Sequence, residues 1–308
     1  MSGPLVDRLT IIGAGLIGSS IARAAREKGI AAQVVVSDAD PAVRARVREL
    51  GFAHEVPETA AEAARGADIV IACVPVGASE AVAIEIAPTL KAGAVVSDVG
   101  SVKGAVVEAM GPHIPPHAHL VPAHPVAGTE FSGPDAGFAS LFENRWCIVT
   151  PPDGADEAAV ERLCALWRGM GANVETMTAR HHDLVLAITS HVPHLIAYNI
   201  VGTAAHLEET LTSEVIKFSA GGFRDFTRIA ASDPTMWRDV FLNNREAVLE
   251  MLGRFNEDLS QLQRAIRYGD GEALYDHFAR TRAIRRSIIE MGQETAAPDF
   301  GRRTPDVK

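Results

Sequence analysis

One histidine stands where a strand gives way to a loop: His124, in the run Val121-Pro-Ala-His-Pro-Val-Ala-Gly-Thr-Glu130. Apolar residues precede it and proline, glycine and threonine follow, the composition of a strand ending at a sheet edge. Ligands of open α/β sheets gather at the carboxyl edge, and imidazole exchanges protons near neutral pH. His124 is therefore a candidate general base, although its own context reads equally as a loop histidine held by backbone. A second group is Ser190-His-Val-Pro-His194, inside an apolar helical run. Residues four apart share a helix face, so Ser190 and His194 are expected together with His191 turned from them. Proline at 193 cannot donate to the Thr189 carbonyl, which predicts a kink. Two histidines invite a metal, yet such sites take three or four protein ligands and Asp183, the one carboxylate near, is two turns away. No metal is expected, and core histidines bonded to backbone are the alternative.

A third group, Gly221-Gly-Phe-Arg-Asp-Phe-Thr-Arg228, sets Arg224 and Arg228 four apart around Asp225. A guanidinium fork grips a carboxylate through two hydrogen bonds, so these arginines are candidate anion ligands; a solvated Arg-Asp-Arg face is the alternative. The chain needs such a local cation. With 29 Lys and Arg against 39 Asp and Glu, its formal net charge of -10 offers an anion no global attraction and argues against a nucleic-acid surface.

Near the start, Leu9-Thr-Ile-Ile-Gly13-Ala-Gly15-Leu16-Ile17-Gly18 reads as strand, glycine turn and helix with G-x-G-x-x-G spacing, which in that context points to a dinucleotide. Gly13 permits the tight turn, Gly15 lets backbone approach a pyrophosphate, Gly18 lets helix and strand pack, and Leu16 and Ile17 open the helix whose N-terminus faces the phosphates. Asp38, twenty residues beyond Gly18, is placed to accept from the ribose hydroxyls, which favours NAD over NADP. Asp40 is the runner-up, and either could instead cap the helix that starts at Pro41. Val74, Pro75 and Ser101 end later strands at the same edge and are expected beside the nicotinamide, with Ser101 reading equally as a helix N-cap.

The elements that must position these groups are legible as two halves. Short β-branched runs at residues 9–12, 33–37, 68–74, 94–98, 119–123 and 146–150 alternate with alanine-rich helical stretches, a βαβ pattern that predicts a parallel sheet. A last helix at 157–169 and strand at 173–176 follow, and then long amphipathic runs such as 183–207 and 237–268 with no strand alternation. The expected architecture is an α/β Rossmann dinucleotide-binding domain (1–176), then an all-α substrate and dimerisation domain (177–294), with a loose tail at 295–308. Three scattered cysteines suggest a reducing cytoplasm, and no stretch of about 18 apolar residues suggests a membrane span. A homodimer is expected through the apolar helical half.

Together, Gly13 to Gly18, Gly100-Ser-Val-Lys103, His124-Pro-Val-Ala-Gly-Thr-Glu130, Ser190-His-Val-Pro-His194, and Gly221 to Ala230 with Ser232-Asp-Pro-Thr-Met-Trp237 resemble the prephenate and arogenate dehydrogenase family of tyrosine biosynthesis. They cover most of the chain in one order. The resemblance implies NAD-dependent oxidative decarboxylation of prephenate, arogenate or both, with His124 on the ring hydroxyl, Ser101 beside it and the nicotinamide, and Arg228 on the ring carboxylate. It also implies that Ser190 and His194, and with them His191, belong to the substrate cavity, and that Glu130, Asp225 and Arg224 make polar or gating contacts at its mouth. The two substrates differ by a keto or an amino group, for which Asp135 is a candidate ammonium partner or a turn residue. The rival readings are a β-hydroxyacid dehydrogenase using Lys217 and a non-catalytic NAD sensor.

Overall fold

The computed structural model describes residues 3–129, 131–206 and 221–290. Glu130, Lys217 and the tail at 295–308 lie outside the described residues. Strands β1 (Val6–Ile12), β2 (Ala31–Ser37), β3 (Ile69–Ala72), β4 (Val95–Asp98) and β5 (His119–Leu120) form a parallel sheet in the order β2-β1-β3-β4-β5. The unbroken burial of β3, of β4 and of Leu9–Ile12 in β1 follows from this, because a central parallel strand is covered on both faces. Ile11, Ile69 and Ile71 are fully buried.

One departure from expectation concerns the strand read at 119–123. It breaks after β5, and β6 (Ala123–Pro125) joins a second sheet, antiparallel to β7 (Trp146–Val149), which pairs parallel with β8 (Asn173–Thr176). Pro122 sits at the break, and having no N–H it serves only as an acceptor, for Thr150 N at 2.9 Å. His124 thus lies within β6, opposite Ile148, rather than in a loop.

Of the helices, α1 (Leu16–Glu27) and α2 (Pro41–Leu50) follow β1 and β2, α3 (Ala60–Ala64) precedes β3, and α4 (Ser79–Ile86) and α5 (Lys103–Met110) follow β3 and β4. Then α6 (Glu157–Gly169) separates β7 from β8, and α7 (Ala179–Leu186) runs through a π turn (Ala187–His191) into α8 (Val192–His206). The kink expected at Pro193 takes the form of this π turn, in which Val192 N donates to the Ala187 carbonyl, five residues back. Beyond lie α9 (Gly221–Thr227), α10 (Pro234–Asn243), α11 (Arg245–Tyr268) and α12 (Gly271–Glu290). The run expected to be unbroken from 237 to 268 is interrupted at Asn244 (φ -108, ψ 34), which is buried.

Packing divides the chain into Met1–Val248 and Leu249–Lys308. The first helices after β8 belong with the sheet because Asp183 of α7 grips the start of α5, and Trp237 and Val240 of α10 pack on Val102. The run Ala179–His206 is, contrary to the sequence reading, long and apolar enough by length and composition to cross a membrane. One side of it is fixed within the first unit by the fully buried His182 and His191, which hydrogen-bond to His124 and Asn244, while Ile188, Ile200 and Val201 are exposed.

Candidate active site

The glycine turn between β1 and α1 separates into two jobs. Gly13 has φ +97, and a Cβ there would stand 2.3 Å from the Cys73 carbonyl oxygen; a Cβ on Gly18 would stand 2.0 Å from that of Gly13. Both are therefore demanded by packing. Gly15 is different: its φ of -70 suits any residue, and a Cβ would meet no protein atom within 4 Å. The space it leaves is the open cradle that a pyrophosphate needs at a helix N-terminus. We expect Gly18→Ala to lower the melting temperature, whereas Gly15→Ala leaves it within a degree or two yet weakens dinucleotide binding, as calorimetry and titration would show. Equal loss of stability in both would make Gly15 a packing glycine too.

The two aspartates after β2 also divide. Asp38 Oδ2 accepts from Ala14 N at 2.8 Å, in the glycine turn, while Asp40 caps α2 by accepting from Ala42 N at 2.8 Å, ahead of Pro41. Leu16 and Ile17 open α1, half-buried, and Val74 and Pro75 follow β3 beside the turn, where the Val74 side chain would lie 3.2 Å from a Cβ on Gly13. Ser101 does not cap α5. Val102 occupies that position, and the N–H groups of Lys103 and Gly104 are both taken, at 2.8 Å each, by the carboxylate of Asp183.

Around His124 the structure assembles a cluster that no single motif announced. His124 is buried, and its Nδ1 lies 2.8 Å from Nε2 of His182, whose Nδ1 lies 2.8 Å from Oδ1 of Asp183. Beneath it, Lys103 is fully buried, ion-paired with Asp98 and donating to the Ala123 carbonyl at 2.7 Å. Asp98 also accepts from Gly100 N and Ala123 N, so this pair ties β4, its following turn and β6 together. Burial, then the charges of His182, Lys103 and His191, hold the His124 pKa well below its ordinary value. The ring is thus uncharged at neutral pH and able to accept a proton. Burial raises the Asp183 pKa, but hydrogen bonds from His182, Lys103 N and Gly104 N outweigh it and keep the group ionised.

His191, expected at the substrate cavity, ends the π turn (Ala187–His191). It is fully buried, with Asn244 Nδ2 donating to its Nδ1 at 3.1 Å and the same amide within 2.9 Å of the Asp183 carbonyl. The alternative of a core histidine describes it, with a side-chain amide as partner. Burial lowers its pKa from 6.5 to about 4. Below pH 6.5 the unfolded chain binds a proton that the folded chain refuses, so this contribution to stability is full above 6.5 and is lost as pH falls towards 4. It amounts to about 3 kcal/mol. Urea midpoints should therefore fall over that window, less steeply in His191→Gln; parallel curves would contradict this origin.

His194, four residues on, donates from Nδ1 to the Ser190 carbonyl at 2.8 Å and stacks on Trp237, ring centroids 3.7 Å apart. Burial lowers its pKa, and the charge of Arg228 lowers it further, which brings that guanidinium within electrostatic reach of the cluster. Arg228 is exposed at the start of a short 3₁₀ turn, and no carboxylate pairs with it among the described residues. Arg224, on α9, instead pairs with its neighbour Asp225 at 3.6 Å, both well exposed. Helix α9 ends at Thr227, so the two arginines do not share one continuous α-helical face. Asp135, the candidate ammonium partner, is engaged by Arg46 of α2, whose guanidinium lies 2.6 Å from its carboxylate, in a 3₁₀ turn packed on α1 and α2.

Sequence reasoning gave no part to His182, Asp98 or Asn244, weighed Asp183 only as a metal ligand, and named Lys103 only within a motif. Only the adjacent His182-Asp183 pair inside an apolar helix carried a signal, a buried-charge pattern in need of a partner.

This combination of a dinucleotide turn and a histidine cluster bridging sheet and helices has relatives. Residues 21–176 match the family described as prephenate dehydrogenase, nucleotide-binding domain, and residues 178–280 the prephenate dehydrogenase dimerization domain. The chain is 41% identical to a cyclohexadienyl dehydrogenase of Zymomonas mobilis over 91% of this chain and 95% of that one. It is 32% identical to a prephenate dehydrogenase of Bacillus subtilis, over 96% and 79%. Among solved structures it resembles Aquifex aeolicus prephenate dehydrogenase in complex with hydroxyphenyl propionate and NAD+, with a TM-score of 0.85, 31% identity, and coverage of 92% and 98%. Agreement of both halves with the family, and 41% identity across 95% of the Zymomonas enzyme, means that the chain belongs to the prephenate dehydrogenase family.

Proposed function

We propose that this NAD-dependent dehydrogenase carries out the oxidative decarboxylation of prephenate, arogenate or both, with His124 as the general base. The observation that carries the reading is a buried, neutral imidazole on β6, tied through Lys103 and Asp98 to the end of β4, in a chain whose β1–α1 turn is an open dinucleotide cradle. Asp38 would hold the adenosine ribose, and Gly15 with the start of α1 the pyrophosphate. When bound there, NAD+ supplies the acceptor for hydride from the carbinol carbon of the ring. His124 takes the hydroxyl proton of that carbon, the bond to the ring carboxylate breaks, carbon dioxide leaves and its electron pair completes the aromatic ring. Aromatisation drives the step, and Arg228 holds the carboxylate until it departs.

On this reading Ser101, next to the start of α5, serves His124 and the nicotinamide, Val74 and Pro75 flank the nicotinamide side, and Ser190 and His194 face the ring. The functional division is at 176/177, a dinucleotide half and a substrate half, even though packing joins α7 to α10 with the sheet. The protein works as a cytoplasmic homodimer through its helical part; the dimerization-domain match and exposed apolar residues such as Leu259, Ile266, Tyr275 and Phe278 support this. Purified protein assayed with each substrate and with NAD+ or NADP+ tests the reading: reduced cofactor and carbon dioxide should form in equal amounts with NAD+. No turnover of either substrate would favour a non-catalytic sensor.

A further inference from the structure

We propose that His182 and Asp183 are positioning residues that hold His124 in the tautomer bearing its proton on Nδ1, so that the lone pair stands on Nε2, the nitrogen left for the substrate. The proposal rests on His124 being the base. Asp183 is surrounded by donors: Lys103 N and Gly104 N at 2.8 Å each, and His182 Nδ1 at 2.8 Å. An ionised carboxylate only accepts, so the proton of neutral His182 must be on Nδ1 and its Nε2 is a bare acceptor. Nε2 faces Nδ1 of His124 at 2.8 Å, a contact that requires one proton between them, and that proton is therefore on His124 Nδ1. A neutral imidazole carries one N–H, which leaves Nε2 of His124 as the acceptor.

The arrangement transposes the logic of a Ser-His-Asp triad, in which a buried carboxylate sets the tautomer of a base, with a second imidazole inserted between them. It also explains an unusual cap. The carboxylate that orients the base also fills the N-terminus of α5, the helix that follows Ser101, so base, Ser101 turn and α7 are registered by one side chain. When His124 takes the substrate proton on Nε2, both of its nitrogens carry hydrogen, and the new charge faces Lys103 of α5, His182 of α7 and His191 of the π turn. Of the hydrogen-bonded groups in this cluster, Asp183 offsets that charge through His182, while Asp98 is already engaged by Lys103. No proton needs to travel along the chain.

The direct test is a long-range 1H–15N spectrum of the histidine-labelled wild-type enzyme at neutral pH, with the His124 signals identified by their loss in His124→Asn. We expect a protonated Nδ1 and a bare Nε2; a protonated Nε2, or a cation, would overturn the proposal without recourse to any variant. In parallel, His182→Leu should lower kcat by about 10- to 100-fold with little change in KM, the usual cost of removing an orienting partner. His182→Gln, whose Oε1 reaches the Nε2 position and accepts from His124, should recover most of it. Equal loss in two folded variants, or no loss in either, would reduce His182 to packing. Should His124→Asn keep full activity while the spectrum shows the protonated Nδ1, the general-base reading fails and the tautomer assignment stands.

Discussion

Replacing His124 by asparagine lowers kcat by about 10²- to 10⁴-fold, the usual contribution of a positioned general base, while KM for the ring substrate stays within a few-fold. Asparagine keeps a donor towards His182 at the Nδ1 position but offers no lone pair of imidazole basicity to the substrate. The loss therefore falls on the transition state and not on ground-state binding. In wild type the pH profile of kcat should stay flat well below pH 6.5, because burial holds the His124 pKa well below its ordinary value and the base remains unprotonated. The rival use of a helical-domain lysine predicts the reverse: Lys217→Ala would be silenced and His124→Asn spared. Steady-state kinetics of the two variants separate these outcomes.

Arg228→Gln raises KM for the substrate by about 10- to 100-fold with a smaller effect on kcat, as expected for loss of a charge-assisted, bidentate grip on a carboxylate. Three features single out this arginine. Arg224 is occupied by Asp225, Arg46 is held by Asp135 and Glu49, and Arg228 alone of these stands by His194 with no carboxylate partner among the described residues. In a chain of net charge -10 an anionic ring carboxylate depends on such a local cation. Arg228→Lys should recover only part of the loss, since an ammonium lacks the planar fork. An unchanged KM in Arg228→Gln would assign the ring carboxylate to a different cation.

The cofactor half was legible because its signals are local. Gly13, Gly15 and Gly18, the strand before them and Asp38 after β2 lie within one βαβ unit, and backbone sterics alone require glycine at two of the three positions. His124 was legible as a candidate for a similar reason, although its strand was not: Pro122 moved it from the end of the parallel sheet into an antiparallel pair. For Asp135 and His191 the residue type states what a side chain can do and not what it meets. Arg46 comes from 89 residues away to claim the one. Asn244, 53 residues away, claims the other from a helix break that amphipathic periodicity does not register.

By itself, then, the sequence determined the two-part architecture, the dinucleotide turn and the residue types of the chemistry, because each depends on short-range periodicity or on backbone geometry. The partners of those residues were decided by tertiary structure. His124 and His182 are 58 positions apart, Asp183 and Lys103 are 80 apart, and yet one chain of hydrogen bonds joins them. Removing those groups from water makes each demand a partner, and only the packing of α7 onto α5 and β6 supplies it.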